Sequence, residues 1–349
     1  MDIFRDEILS DLLFAPEYLP DVLQWLKKQP TENGHISVES VGKILDILSY
    51  PCWKKFFQAY TRPCELSDED LVAAEYKLLT ETGLVRIESV KILGEMRKSY
   101  NLFMTETAKQ IISVQDPYQV DREKRRRSLI HLIAVAAVNV YGVIEKDLFI
   151  NLFNHYSESP ARTECSSELA SFDPLSPDEL ESALSPYTEL HVDVLLAGNH
   201  LMNRLIGGPE DIPLFLSNVS SDKYYPFAME PLLKYANPEY FEMTPEIANF
   251  LWQIEENFPD ITDGEKHLLQ LLFSPSYLSD WSQMIEVELC PMLKPLSEET
   301  QREIAEAFVR AKRSARCWKL RGYSEEETSL GGEMIEEDVR KFLRVLEEC

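Results

Sequence analysis

The stretch Leu129–Tyr156, LIHLIAVAAVNVYGVIEKDLFINLFNHY, decides the fold class. Its first 12 residues, Leu129–Val140, are the longest apolar run of the chain and carry His131 and Asn139 inside it. A run of that length is too short to span a bilayer and suits a buried helix. The pattern predicts one helix over 123–140, a break at Gly142, and a second helix over Glu145–Tyr156. The Ser- and Pro-rich segment that follows, SESPARTECSSELASFDPLSP, reads as an exposed loop. A short capped helix is expected over Leu175–Leu184. The run Glu189–Ile206 reads as two strands around Ala197-Gly198-Asn199, a hairpin. Helices closed by a hairpin follow the order of a winged helix.

Toward the N-terminus the same order is weaker. Residues 35–100 read as helix, helix and a short strand. Val38, Val41, Leu45 and Leu48 have helical spacing. A second helix starts at a Ser67 cap, with Asp68–Asp70 in its first turn, and ends at Gly83. The strand is LVRIESV. Residues 1–30 read as two short helices around a corner at Pro16. The decapeptide LLFAPEYLPD (Leu12–Asp21) returns 259 residues later as LLFSPSYLSD (Leu271–Asp280), identical at seven of ten positions. Pro opens a helix at no cost in hydrogen bonds, so the repeat reads as scaffold, with Ser274 as an N-cap. ANPEYF (Ala236–Phe241) is a weaker echo.

After Gly207-Gly208-Pro209, a linker to about Pro226 is expected. Helices then follow, including one near 297–320 with Ile304, Phe308, Ala311, Ala315 and Trp318 on one stripe. YSEEETSLGG reads as a second linker before a terminal amphipathic helix. The expected fold class is mainly α with small β-hairpins, a multidomain helical protein with winged-helix-like units. The expected domains are 1–118, 119–208 and 209–349.

The net charge of −25 repels nucleic acid and anionic membrane over most of the surface. Six scattered cysteines with no C-x-x-C spacing suggest a reducing, cytoplasmic setting. The acidic start MDIFRDEILSDLL lacks the charge pattern of a signal peptide. Phosphate-binding loops, nucleophile elbows and H-E-x-x-H are absent. No catalytic residue and no cofactor are assigned.

Three features remain. His191 and Asp193 share a face of the expected hairpin and, with His200, suggest a metal-dependent hydrolase; the simpler reading is an exposed wing with polar outward positions, since three ligands with supporting partners are not visible, and no metal is assigned. Cys317, beside Arg316 and Lys319, suggests a reactive thiol or, more simply, a buried one. Two basic clusters stand out, Arg122, Lys124, Arg125, Arg126 and Arg127, then Arg310, Lys312, Arg313, Arg316, Lys319 and Arg321. Together these 11 residues occupy 19 positions, with Trp318 among them. They suggest a nucleic-acid or phosphate surface on Arg125, Arg126, Arg127, Arg313, Arg316, Trp318, Lys319 and Arg321. The simpler reading is a face that pairs with the protein's own acids.

Three segments carry a family resemblance: Tyr141-Gly142-Val143-Ile144, KYANPEYFEMT (Lys234–Thr244) and CWKLRGYSEEE (Cys317–Glu327). Over roughly 120–330 the chain resembles the helical region that precedes the SEC-C zinc motif in uncharacterised bacterial proteins. Trp318, Gly322, Ser324 and Glu327 match a Trp-x-x-x-Gly-x-[ST]-x-x-Glu pattern of that group. The resemblance implies an intracellular bacterial protein and brings no catalytic residues. The Cys-rich SEC-C motif itself is missing, so its zinc does not carry over. The expectation is a non-catalytic intracellular adaptor that binds a protein partner and no membrane. The alternatives are a nucleic-acid-associated regulator and a metal-dependent hydrolase.

Overall fold

The computed structural model describes residues 19–28, 31–32, 35–36, 38–91, 98–112, 117–158, 173–190, 193–275, 285–328 and 335–348. Residues 12–18 of the first copy of the decapeptide repeat, the end of the second, His191 and most of the Ser- and Pro-rich loop lie outside them. The described residues are mainly helical, with small antiparallel sheets. They divide into two compact units, one of 1–134 with 145–204 and one of 135–144 with 205–349.

The first unit begins with α1 (Leu19–Lys27), the two-residue pair β1 (Thr31–Glu32) and β2 (His35–Ile36), α2 (Val38–Ile47) and α3 (Tyr50–Gln58). Next come β3 (Cys64–Leu66), α4 (Asp68–Val72), α5 (Ala74–Glu81), β4 (Val85–Lys91), β5 (Lys98–Met104) and α6 (Glu106–Ile112). The Ser67 cap is a full capping box: its hydroxyl accepts from the Asp70 amide, and the Asp70 carboxylate accepts from the Ser67 amide. Gly83 closes α5 at φ +71°, a conformation that favours glycine. The single strand expected here is a three-stranded sheet in the order β3-β5-β4. Its centre, β5, buries Leu102 and Met104 on alternate positions.

The long helix α7 (Pro117–Tyr141) begins in this unit and ends in the second, as does most of β6 (Val143–Glu145); α8 (Lys146–Glu158) and α9 (Pro177–Leu190) belong to the first. The hairpin of β7 (Val194–Ala197) and β8 (His200–Asn203) ends the unit, turning at Gly198 with Ala197 opposite His200. α9 runs further than expected. Leu180, Ala183, Leu184 and Tyr187 continue one buried face past Pro186, so Glu189 and Leu190 are helical, not strand.

The second unit contains the end of α7, then α10 (Ile212–Ser217), α11 (Met229–Lys234), α12 (Pro245–Asn257), α13 (Asp263–Leu271), α14 (Cys290–Leu293), α15 (Glu298–Ser314) and α16 (Ile335–Glu348). Phe250, Phe273, Phe308 and Phe342 meet at its centre with ring centroids 5.4–6.3 Å apart. Cys290, also in this core, is disulfide-bonded, while Cys52, Cys64 and Cys317 are free thiols.

Three expectations are corrected here. The helix near 297–320 stops at Ser314, because Ala315 is extended at ψ 147°. Ala315 and Trp318 are buried as the stripe implied, but from a loop. The first expected linker contains α10, and its later residues pair with that loop through Ser220 N–H to Lys319 O at 2.8 Å and Tyr225 N–H to Arg321 O at 2.9 Å. The start of the second is packed too, with Ser324 buried.

Candidate functional site

The first basic cluster lies on α7 within the first unit. A helix leaves its last carbonyls without partners and carries partial negative charge there. Lys124 supplies the missing donors to α2, from Nζ to Leu45 O at 3.0 Å and also to Asp46 O. Arg127 donates to the Asp46 carboxylate at 2.8 Å, and Tyr187 donates its hydroxyl to Asp46 O at 3.0 Å. Arg126 grips Glu179, in the first turn of α9, through two nitrogens. Arg125 lies over the Tyr50 ring at 5.9 Å. Burial pushes Lys124 down to about 8, against the pull of Asp46 and Glu75. Glu75, on α5, is buried and accepts from the Ser49 hydroxyl at 2.9 Å; burial pushes its carboxyl up to about 7.

The second cluster belongs to the second unit, where the three segments of the resemblance meet. Trp318 is buried, and its indole N–H donates to Asn139 O at 2.7 Å. The Asn139 side chain donates to Tyr235 O at 2.8 Å. Gly142 (φ +77°) sits against Phe215 and Trp318, where an added Cβ would fall 2.5 and 2.9 Å from their rings. Gly322 (φ +82°) faces Tyr141 at 2.9 Å in the same sense. Tyr141 donates its hydroxyl to Tyr225 O at 2.8 Å.

Arg316 completes this clasp. It stacks on Tyr225 at 4.0 Å, donates to Glu242 at 2.9 Å, and donates to Glu327, which also accepts from the Ser324 amide at 3.0 Å. Burial alone would lower its pKa, but Glu242 and Glu327 raise it, so the cation is fixed. Trp318, Gly322, Ser324 and Glu327 therefore each hold a structural position. Arg321 lies over Tyr224 at 4.3 Å.

Beside the clasp, Phe308, Val309, Lys312, Arg313, Cys317, Glu325 and Asp338 line a cleft of about 140 Å³. Arg313 is buried and lies 3.4 Å from Glu325 and 3.6 Å from Asp338. Lys312 donates to Leu272 O at 2.6 Å, and burial pushes its amine down to about 8. Burial pushes the Asp338 carboxyl up, against the Arg313 charge. It also pushes the Cys317 thiol up, opposite to an activated thiolate.

The chain matches no family model, no curated protein and no solved structure.

Of the residues suggested for nucleic acid, Arg126, Arg127, Arg313 and Arg316 are engaged with carboxylates and Arg125 and Arg321 with rings. Trp318 is buried and Lys319 exposed. The clusters belong to different units. Among the described residues no three His, Cys, Asp or Glu side chains gather as a metal cage. Asp193, at φ +54°, instead lies 3.4 Å from His131 Nε2, while Tyr187 stacks on the His131 ring at 3.6 Å.

Sequence reasoning missed Glu75, Lys312 as a cleft residue, and Asp338. Glu75 carried a signal, an acid within the apolar set Ala74, Tyr76, Leu78 and Leu79. Asp338 carried none, being one of many acids on an amphipathic helix.

It also missed an exposed aromatic. Trp252 on α12 is 57% exposed, while Ile247, Phe250 and Ile254 on the same helix are core. Residues 205–275 around it hold twelve acids and three bases.

Proposed function

We propose that this protein is a non-catalytic adaptor that takes a basic, amphipathic segment of a partner protein on its acidic second unit. Exposed Trp252 carries this reading. A tryptophan that leaves most of its surface in water, on the face of α12 opposite the buried Ile247, Phe250 and Ile254, is the residue type that anchors protein interfaces. The acids around it favour lysine- and arginine-rich sequences and repel phosphates. The basic clusters support the same choice, because most of their charges already have internal partners.

The finer fold reading belongs to this proposal. The order α7, β6, α8, α9, β7, β8 is that of a winged helix. α9 carries Asp178, Glu179 and Glu181 and no Lys or Arg, which suits a protein-facing unit. The kinship to the SEC-C-associated region is supported by the meeting of its three segments. Cytoplasmic placement is supported by the free thiols Cys52, Cys64 and Cys317; the Cys290 disulfide weighs against it. Thiol trapping in intact cells decides, and a peptide map without reductant shows whether Cys165 or Cys349 is joined to Cys290. No described helix is long and apolar enough to cross a membrane.

The test is fluorescence anisotropy with a labelled Lys/Arg-rich amphipathic peptide and, in parallel, a single-stranded RNA. Peptide binding that weakens with salt and drops at least ~10-fold in Trp252→Ser supports the proposal. RNA binding lost on replacing Arg310 and Lys319, with no peptide binding, replaces it by a nucleic-acid-associated regulator.

A further inference from the structure

We propose that the cleft at the C-terminal end of α15 binds a small uncharged aldehyde or ketone through an imine with Lys312. This does not rest on the adaptor reading.

The amine is built in, not displayed. Its Nζ donates to Leu272 O at 2.6 Å, which fixes where the nitrogen sits. Once neutral, an amine that donates one N–H still has its lone pair for a carbonyl carbon. Burial brings that neutral form close to physiological pH, with a pKa of about 8. Exposed lysines stay protonated to ~10.4.

The walls select the ligand. A cleft of about 140 Å³ matches cavities that take a ligand of about six non-hydrogen atoms. Phe308 and Val309 give it an apolar side that suits a short alkyl tail. Glu325 and Asp338 disfavour a ligand that carries its own carboxylate, and Arg313 between them is committed to both. Asp338 lines the same cleft and is the carboxyl assigned as the acid of the step; burial pushes it up, against the Arg313 charge.

The step balances without an outside oxidant. The Lys312 lone pair forms the C–N bond as the carbonyl π pair moves to oxygen. The oxygen takes one proton from Asp338 and the nitrogen returns one to the Asp338 carboxylate, giving a carbinolamine. The hydroxyl then leaves with the nitrogen's remaining proton as water, and the imine is left. No group is oxidised or reduced.

The test uses the full chain with propanal and cyanoborohydride, which reduces an imine to a stable secondary amine. Modified lysines are mapped by mass spectrometry from pH 6 to 9. Lys54, Lys77 and Lys319, all exposed, are references within the same molecule. At pH 7 Lys312 is expected to label at least ~10-fold faster than these three, with a half-maximum near its own shifted pKa. Glyoxylate, which adds a carboxylate, should label it several-fold more slowly than propanal. Asp338→Asn should slow Lys312 alone. Labelling of Lys312 at the rate of the references overturns the proposal. Equal labelling by glyoxylate overturns the ligand class, and an unchanged rate in Asp338→Asn removes Asp338 from the step.

Discussion

In the first unit the cations of α7 end on main-chain carbonyls, on carboxylates near the surface and over one ring. In the second, the arginines Arg313, Arg316 and Arg321 end on carboxylates and aromatic faces around a closed core, while Lys312 takes a main-chain carbonyl, Leu272 O. Lys124 and Arg316 mark the two extremes. Lys124 replaces the hydrogen bonds that a helix end lacks, a task that water also performs. Arg316 holds two carboxylates and a tyrosine ring together from a mostly buried side chain, while both acids keep part of their surface in water. A run of Lys and Arg in sequence therefore has no single structural meaning. What waits opposite each side chain decides it.

The largest expected effect breaks the second arrangement. Arg316→Ala should cost ~2–4 kcal/mol, because it removes two charge-assisted hydrogen bonds and a ring contact made by a mostly buried side chain. Urea denaturation followed by circular dichroism reads this, and a loss under ~1 kcal/mol would mean the clasp is held by its rings alone. Gly142→Ala comes next, at ~2–3 kcal/mol, from left-handed backbone and a Cβ driven into Phe215 and Trp318.

The third prediction sharpens the first unit. Glu75 has a folded pKa of about 7 against an ordinary 4.5. The unfolded chain therefore gives up this proton first. The stabilising contribution is full below pH 4.5 and is lost as pH rises through 7. Lys124 runs the other way. Its contribution is full above its ordinary 10.5 and is lost as pH falls through 8. Glu75→Gln should flatten stability between pH 5 and 7 by ~1–3 kcal/mol. Thermal melts across that range check it; a profile identical to the parent would place the titration elsewhere. The smallest effect is Arg127→Ala, below ~1 kcal/mol, because its ion pair with Asp46 is partly in water. A loss near that of Arg316→Ala would erase the contrast between the units.

Much of this fold was readable because some positions allow few alternatives. Gly142 broke a helix that nothing else in its apolar run would have stopped. Ser67 announced a helix cap, which the structure extends to a capping box with Asp70, and Gly198 announced a hairpin. β5 also had its signal in the alternation of Tyr100, Leu102 and Met104, but its polar neighbours hid it. The end of α15 was hidden for another reason. Ala315 and Trp318 keep helical spacing and are buried, so periodicity could not tell a helix from a loop that returns to the same core. The cleft was not legible at all, since Lys312 and Asp338 are 26 positions apart with a loop between them. The two clusters were visible as charge but not as pairings, because Glu179, Glu242 and Asp46 are distant in sequence.

α7 contributes residues to both compact units, so no single cut of the polypeptide yields both intact. A fragment beginning at 205 would contain Trp318 but not the Asn139 carbonyl its indole requires, nor the Tyr141 ring that Gly322 meets. Anyone dividing this protein for expression must carry 135–144 along with the C-terminal portion, by fusion or as a separate peptide. If the latter route works, that ten-residue strip added back should restore a cooperative melt to a fragment that otherwise lacks one.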